Sequence, residues 1–371
     1  MQATKPFEIG PIRPPSEADS LLLRVTRNCP WNKCKFCSLY RKHPFKARTV
    51  DEVKADIDQV AQYREDILDG IPEDLYQLQP DVQERYLHIM RWMANGEESV
   101  FLQDANTVVL SFDKLREILT HLRKTLPSIK RVTTYGRADS LNKFSVEQLA
   151  ELKEAGLDRI HAGYESGSDA VLELINKGCT KQMEVEAGRK VKAAGIELSI
   201  YYMPGVGGKA LSDVNATETA DVINKVNPDF VRIRTFVARR GTELYDEIEA
   251  NQSGQCSDLE KAFELRKMIE HVEGADGYLI SDHICNLFED INGHMTKDKK
   301  QMLSVFAEFE GLPEADRHRY QLARRMGMVR SLWNIPYLTK EQSRTLDDYI
   351  SKLNTPELLE EFLQKMLRRY V

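Results

Sequence analysis

From Ser20 to about residue 240, short β-rich runs alternate with helical stretches, and this rhythm constrains the fold more than any other feature. The runs lie at 20–26, 99–103, 130–135, 158–164, 196–202 and 229–236. Strands separated by a helix must run parallel, because the chain returns to its starting edge before the next strand begins. Six such βα units predict an α/β fold of barrel type. The helix punctuation agrees: Ser145 and Gln148 form a capping box, and Gly156 and Gly195 stand where helices should end.

Residues 70–97 exceed a minimal unit and predict a helical insertion, whose Tyr86, Ile89, Met90 and Met93 read as a packing face before they read as a substrate lid. After residue 241 the alternation stops. Thr339 with Gln342, and Thr355 followed by Pro356, mark helix starts there. The expected organisation is a proline-rich arm at 1–19, a barrel at 20–240 and a mainly helical region at 241–371 that packs on the barrel.

Acidic residues (58) outnumber basic ones (52), giving a net charge of −6, which disfavours a surface built to hold nucleic acid and mildly favours a small substrate. The first 19 residues contain no signal-like apolar core, and no run approaches the length of a membrane span. A cytoplasmic protein is expected, with its six cysteines as thiols. Cys179, Cys256 and Cys285 are scattered and read as ordinary thiols.

Cys29, Cys34 and Cys37 are different. They occupy the nine residues CPWNKCKFC directly after the apolar run of Leu21, Leu22, Leu23 and Val25, on a strand-to-helix loop. Thiolates so close can converge on one soft metal centre and leave a coordination position open. A zinc site would need His43 as fourth ligand and lacks a second knuckle. A closed electron-transfer cluster would need a fourth cysteine nearby. A [4Fe-4S] cluster with three cysteine ligands and one open iron explains the count best.

With these residues the chain resembles the radical S-adenosylmethionine (SAM) superfamily over about residues 20–240. The resemblance implies a partial (βα)6 TIM-like barrel in which Cys29, Cys34 and Cys37 hold the cluster and its open iron chelates SAM. Most members have three residues between the first two cysteines; Pro30, Trp31, Asn32 and Lys33 make four here. Phe36 matches the aromatic residue beside the SAM adenine. Gln103 and Asp104 stand where relatives carry a glycine-rich turn that binds the SAM amino group, as in subfamilies resembling anaerobic coproporphyrinogen oxidases.

The segment HAGYESGSDAVLELINKGCT is similar to one found in methylthiotransferases and cobalamin-associated radical enzymes, and it implies SAM contacts by Glu165 and Ser166. YYMPGVGG places Gly205, Gly207 and Gly208 after a strand, where the family lets backbone approach the adenine. His161 shares a strand face with Glu165 and reads as a hydrogen-bonded core residue. Arg232 and Arg234 share a face of the last run, and one of them, assigned as Arg234, is expected to anchor SAM or an anionic substrate group. In SDHICN, His283 and Cys285 share a parity opposite to Asp282. Tyr135, Arg137, Tyr201 and His283 are the candidates on the substrate side.

The implied activity is an oxidoreductase- or lyase-type reaction. An electron from a flavodoxin or ferredoxin cleaves SAM, and the 5′-deoxyadenosyl radical takes hydrogen from a small molecule. An RNA- or protein-modifying enzyme is the alternative within the family, although neither an appended basic module nor a second three-cysteine set is visible. A non-catalytic zinc or iron-sulfur protein is the alternative outside it.

Overall fold

The computed structural model describes residues 6–70, 75–251 and 254–370. Positions 1–5 of the expected arm, 71–74 of the expected insertion and the last residue, 371, lie outside the described residues. The fold is α/β, with the parallel βα alternation of a partial TIM-like barrel. All six expected strands form: β1 (Leu21–Arg24), β2 (Ser99–Gln103), β3 (Arg131–Gly136), β4 (Arg159–Glu165), β5 (Glu197–Tyr202) and β6 (Phe230–Ile233). Two short strands follow, β7 (Tyr278–Ile280) and β8 (Gly293–His294), inside the stretch read as mainly helical. Runs of three and two residues are too short to show a period, so only pairing reveals them. Helices Glu243–Asn251, Asp258–His271, Lys299–Gly311, Glu314–Arg325, Lys340–Lys352 and Pro356–Leu367 and a 3-10 turn at Leu332–Tyr337 make up most of that region.

The chain divides into two compact units. The first comprises Met1–Asn32, Tyr40–Gly163 and Glu186–Leu198. In it β1 pairs with β2 from Leu21↔Val100 to Arg24↔Gln103, β2 with β3, and β3 with β4, all parallel. The edge of β1 does not remain bare: His88 Nε2 accepts the Leu22 N–H at 3.0 Å, and Glu8 O accepts the Arg24 N–H at 3.0 Å. His88 belongs to helix Pro80–Ala94, whose Tyr86, Ile89 and Trp92 are buried, with Tyr86 edge-on to Tyr63 at 4.6 Å. This helix therefore packs into the unit. A small antiparallel ribbon, Thr26–Arg27 against Lys46–Ala47, closes the base of the loop that begins at Asn28.

The second unit comprises Lys33–Leu39, Tyr164–Val185 and Ser199–Val371. Here β5 pairs with β6 and β6 with β7 in parallel, while β8 returns antiparallel to β7. Its helical part has a core of its own, in which Phe288 stacks on Tyr320 at 5.6 Å and meets Phe306 and Phe309 edge-on. A buried ion pair, Arg325 to Asp258 at 2.5 Å, joins two of its helices. The capping boxes form as expected at Ser145 with Gln148 and at Thr339 with Gln342, and Thr355 caps the last helix.

Candidate functional site

The motif residues sit at or just beyond the carboxyl ends of their strands, where barrel chemistry is placed. At the end of β2, in the first unit, Asp104 is fully buried and organises the start of the cysteine loop. Its Oδ2 accepts from Arg24 Nη2 (2.7 Å), Arg24 Nε (3.0 Å) and the Asn28 N–H (3.3 Å), and its Oδ1 accepts from the Tyr40 hydroxyl at 2.7 Å. Burial, reinforced by the Asp104 charge, raises the Tyr40 phenol far above its ordinary range, so it remains a donor. Cys29 follows directly; its Sγ accepts the Asn32 N–H at 3.4 Å, and Asn32 Nδ2 donates to Tyr40 O at 2.6 Å.

Gln103 was expected among the SAM contacts, yet its amide is engaged by the arm. Its Oε1 accepts from Gly10 N, and its Nε2 donates to Gly10 O and Ile12 O at 2.8, 3.2 and 2.6 Å in turn. The arm is further bound through Glu8, which pairs with Arg24 at 2.9 Å and Arg27 at 2.6 Å. Burial raises the Glu8 carboxyl, but the Arg27 hydrogen bond and the Arg48, Arg27 and Arg24 charges hold it below its usual value. Of the substrate-side candidates, Arg137 lies over the Trp31 ring at 5.5 Å and bonds Asp139 at 2.8 Å. Tyr135 packs edge-on to Phe101 and His161. His161 is buried, with Glu17 Oε1 at 3.4 Å, as expected of a core histidine.

In the second unit the Lys33–Leu39 segment, which carries Cys34 and Cys37, is pinned through its backbone: Lys35 N donates to Ile175 O at 2.9 Å and Lys35 O accepts from Leu244 N at 3.0 Å. Phe36 consequently packs against a cluster of Val171, Ile175, Val206, Phe236, Ala238 and Leu244. At the end of β4, Glu165 holds φ +68° and accepts Lys177 Nζ at 3.0 Å; Lys177 in turn lies 5.9 Å from the Phe36 ring centroid. Ser166 is buried and its Oγ accepts the Ser168 N–H at 3.0 Å. Gly167 donates to Thr219 Oγ1 at 2.8 Å.

Beyond β5, Gly205 (φ +84°) donates its N–H to Glu264 Oε1 at 3.0 Å, and Gly207 precedes helix Gly208–Val226. Glu264 also accepts from Tyr202 (2.8 Å), Ser212 (2.7 Å) and Asn215 (2.6 Å). Burial pushes its carboxyl up, against the pull of these donors. It escapes sequence reading because its partners lie 49 to 62 residues away. Arg232 and Arg234 both pair with Asp282, at 2.7 and 2.8 Å, and Arg234 lies 5.0 Å over the Tyr201 ring. His283 follows Asp282 immediately.

The scattered thiols behave as expected: Cys256 and Cys285 are buried, and burial together with Glu264 pushes Cys256 up to about 12. No disulfide involves any of the six cysteines. Among the described residues no three His, Cys, Asp or Glu side chains group as a metal site. The donor set of the loop nonetheless has the chemistry for iron: three thiols within nine residues, with a backbone N–H already directed at Cys29 Sγ. No helix among the described residues is long and apolar enough to cross a membrane.

The sequence profile of the radical SAM superfamily matches residues 23–218, more than half of the chain, and that range contains all three loop cysteines. The chain belongs to the radical SAM superfamily. Its members are enzymes that use a [4Fe-4S] cluster and SAM. Among similar proteins, an uncharacterized methyltransferase of Pyrococcus horikoshii is 26% identical over 165 residues, covering 44% of this chain and 34% of the relative. A tRNA-2-methylthio-N(6)-dimethylallyladenosine synthase of Moorella thermoacetica is 24% identical over 182 residues, 48% of this chain and 36% of the relative. This radical SAM chain thus spans about a third of the length of these curated relatives. The solved coproporphyrinogen III oxidase of Escherichia coli, itself described as a radical SAM enzyme, aligns with TM-score 0.42 and 12% identity, covering 91% of this chain and 87% of that one.

Proposed function

We propose that this radical SAM protein cleaves SAM reductively and abstracts hydrogen from a small molecule, with Cys29, Cys34 and Cys37 as cluster ligands. The observation that carries the reading is that one family match, residues 23–218, takes in the cysteine loop, the ESGS segment and the glycine turn after β5. Cys29, Cys34 and Cys37 would hold the cluster, which when bound would supply the electron for reductive cleavage of SAM to methionine and a 5′-deoxyadenosyl radical. The chain's own residues position the reactants and exclude water. Asp104 ties Asn28 and Tyr40, on either side of the thiols, to the end of β2. Phe36 and the Gly205–Gly207 turn form the adenine side, and Glu165, oriented by Lys177, takes the ribose or methionine moiety together with Ser166. Tyr201 and His283 belong to the substrate side. The reading includes a flavodoxin or ferredoxin as reductant, a cytoplasmic setting and the organisation into arm, barrel (20–240) and helical region (241–371).

Anaerobic reconstitution tests it. About four irons and four sulfides per chain, with 5′-deoxyadenosine formed from SAM and dithionite, are expected. Bound zinc, with no absorbance near about 400 nm, would overturn it.

A second reading, RNA modification, draws support from one further feature. A cleft of about 1290 Å³ in the second unit is lined by Arg239, Arg240, Lys365 and Arg369, against Glu357 and Glu361. It contains none of the motif residues. RNA binding that weakens steeply with salt would favour this reading.

A further inference from the structure

Helix Asp258–His271 sets Lys261 and Glu264 one turn apart on the same side, and both reach the turn that follows β5. Glu264 Oε1 accepts from the Tyr202 hydroxyl, the Gly205 N–H and Asn215 Nδ2, while its Oε2 accepts from Ser212 Oγ. One carboxylate thus ties together the end of the strand, the turn and the helix that follows it, Gly208–Val226. Lys261 meets the same glycine through carbon. A methyl on Gly205 would lie 2.6 Å from Lys261 Cγ and 3.2 Å from its Cδ, so the aliphatic stem rests against the turn. The ammonium passes beyond and donates to Gln364 Oε1 at 3.3 Å, and Gln364 Nε2 donates to Glu360 Oε1 at 2.6 Å.

Lys261 and Glu264 are only 1% and 3% exposed. Burial raises the carboxyl of Glu264 and lowers the ammonium of Lys261, the directions expected of charges withdrawn from water. Two leucines would join the helix to its neighbours without that desolvation cost, so the specific partners must justify the charges. Those partners converge on one glycine, held at φ +84°. The other side of the turn is fixed by backbone: the Met203 N–H donates to Glu165 O at 2.8 Å, and the Phe236 N–H donates to Pro204 O at 2.9 Å. The turn is therefore joined directly to the ESGS segment, and Glu264 and Lys261 close it from behind.

We infer that Glu264 and Lys261 are positioning residues that hold the Gly205 turn in the shape that receives SAM, which makes helix Asp258–His271 part of the cofactor site. Each acts through Gly205 and not by touching the cofactor. The cofactor's identity rests on the radical SAM reading; the hold on the turn does not.

The test uses full-length reconstituted protein, with SAM cleavage kinetics and hydrogen exchange of the 203–212 segment. Glu264→Leu removes the acceptor, and Lys261→Ala removes the stem. Each should raise the SAM KM about tenfold, the worth of one buried contact, with kcat changed less than about threefold. Iron content should stay at the wild-type value, and the Gly205 amide should exchange faster. Glu264→Gln keeps an oxygen for Tyr202, Gly205 and Asn215, and Lys261→Met keeps the stem; both should recover the wild-type KM. A merely structural role would lower the unfolding midpoint and leave the KM of the folded protein where it was. If Glu264→Leu does not fold, the comparison of Lys261→Ala with Lys261→Met decides by itself. A wild-type KM in folded Glu264→Leu or in Lys261→Ala overturns the inference, and so does unchanged exchange at Gly205. If the wild type fails to cleave SAM, the functional reading falls; faster exchange in the two variants would still uphold the hold on the turn.

Discussion

The hydroxyl of Tyr40 donates to Asp104 at 2.7 Å, joining a residue three positions beyond Cys37 to the end of β2. The other oxygen of the same carboxylate accepts the Asn28 N–H, just before Cys29. The cysteine loop is thereby held at both ends by one buried acid.

Asp104→Asn should cost about 3 kcal/mol, because Arg24 loses its buried partner, and Tyr40→Phe about 1 kcal/mol. Iron retained after reconstitution should fall in the same order. Urea unfolding and iron analysis check both; an Asp104→Asn protein unchanged in each would remove Asp104 from this role.

The thiols should separate into two classes. Cys29→Ala, Cys34→Ala and Cys37→Ala are each expected to reduce bound iron from about four to below one per chain while circular dichroism stays native. Cys179→Ala should retain full iron, since its Sγ faces Glu184 Oε1 at 3.6 Å. Equal iron in Cys29→Ala and wild type would mean that the four-residue spacer hides a different ligand set.

Acid should weaken the fold through two histidines. Burial, then the charge of Arg85 for His88 and of Arg234 for His283, lowers both to about 4 from 6.5. A depressed folded value makes the contribution complete above pH 6.5 and erodes it as pH falls towards 4. Each is worth up to about 3 kcal/mol over that window. His88→Gln keeps an acceptor for the Leu22 N–H without titrating, so its stability should decline less between pH 6.5 and 4 than that of the wild type. Parallel denaturation curves for the two proteins would refute the assignment.

Gly167→Ala should destabilise by roughly 2–3 kcal/mol and weaken SAM binding, since the new methyl would lie 2.5 Å from Glu218 O and 2.7 Å from Thr219 Cα. The same change at Gly195, where φ is +73° but nothing lies within 4 Å, should cost about 1 kcal/mol. Similar unfolding midpoints for the two variants would argue against the close approach at Gly167.

Much of this protein was legible without coordinates, because the signals are local. Alternation of β and helical periods gave six strands close to their observed bounds, and caps such as Ser145 with Gln148 depend on residues three apart. The cysteine cluster, together with the HAGYESGSDAVLELINKGCT and YYMPGVGG segments, pointed to the superfamily that the match over residues 23–218 establishes, although the four-residue spacer departs from its usual pattern. Tertiary structure decided what side chains do across long separations. Gln103 ends β2, and its amide bonds the arm some 93 residues away, a partnership that no local pattern marks. Glu264 gathers four donors from around β5, and no periodicity marks it. Arg232 and Arg234 announced a buried charge, but only pairing about 50 residues downstream identified Asp282 as their shared acid. Secondary structure follows from neighbours along the chain, whereas hydrogen-bond partners of buried polar groups are chosen by packing, which sequence spacing does not record.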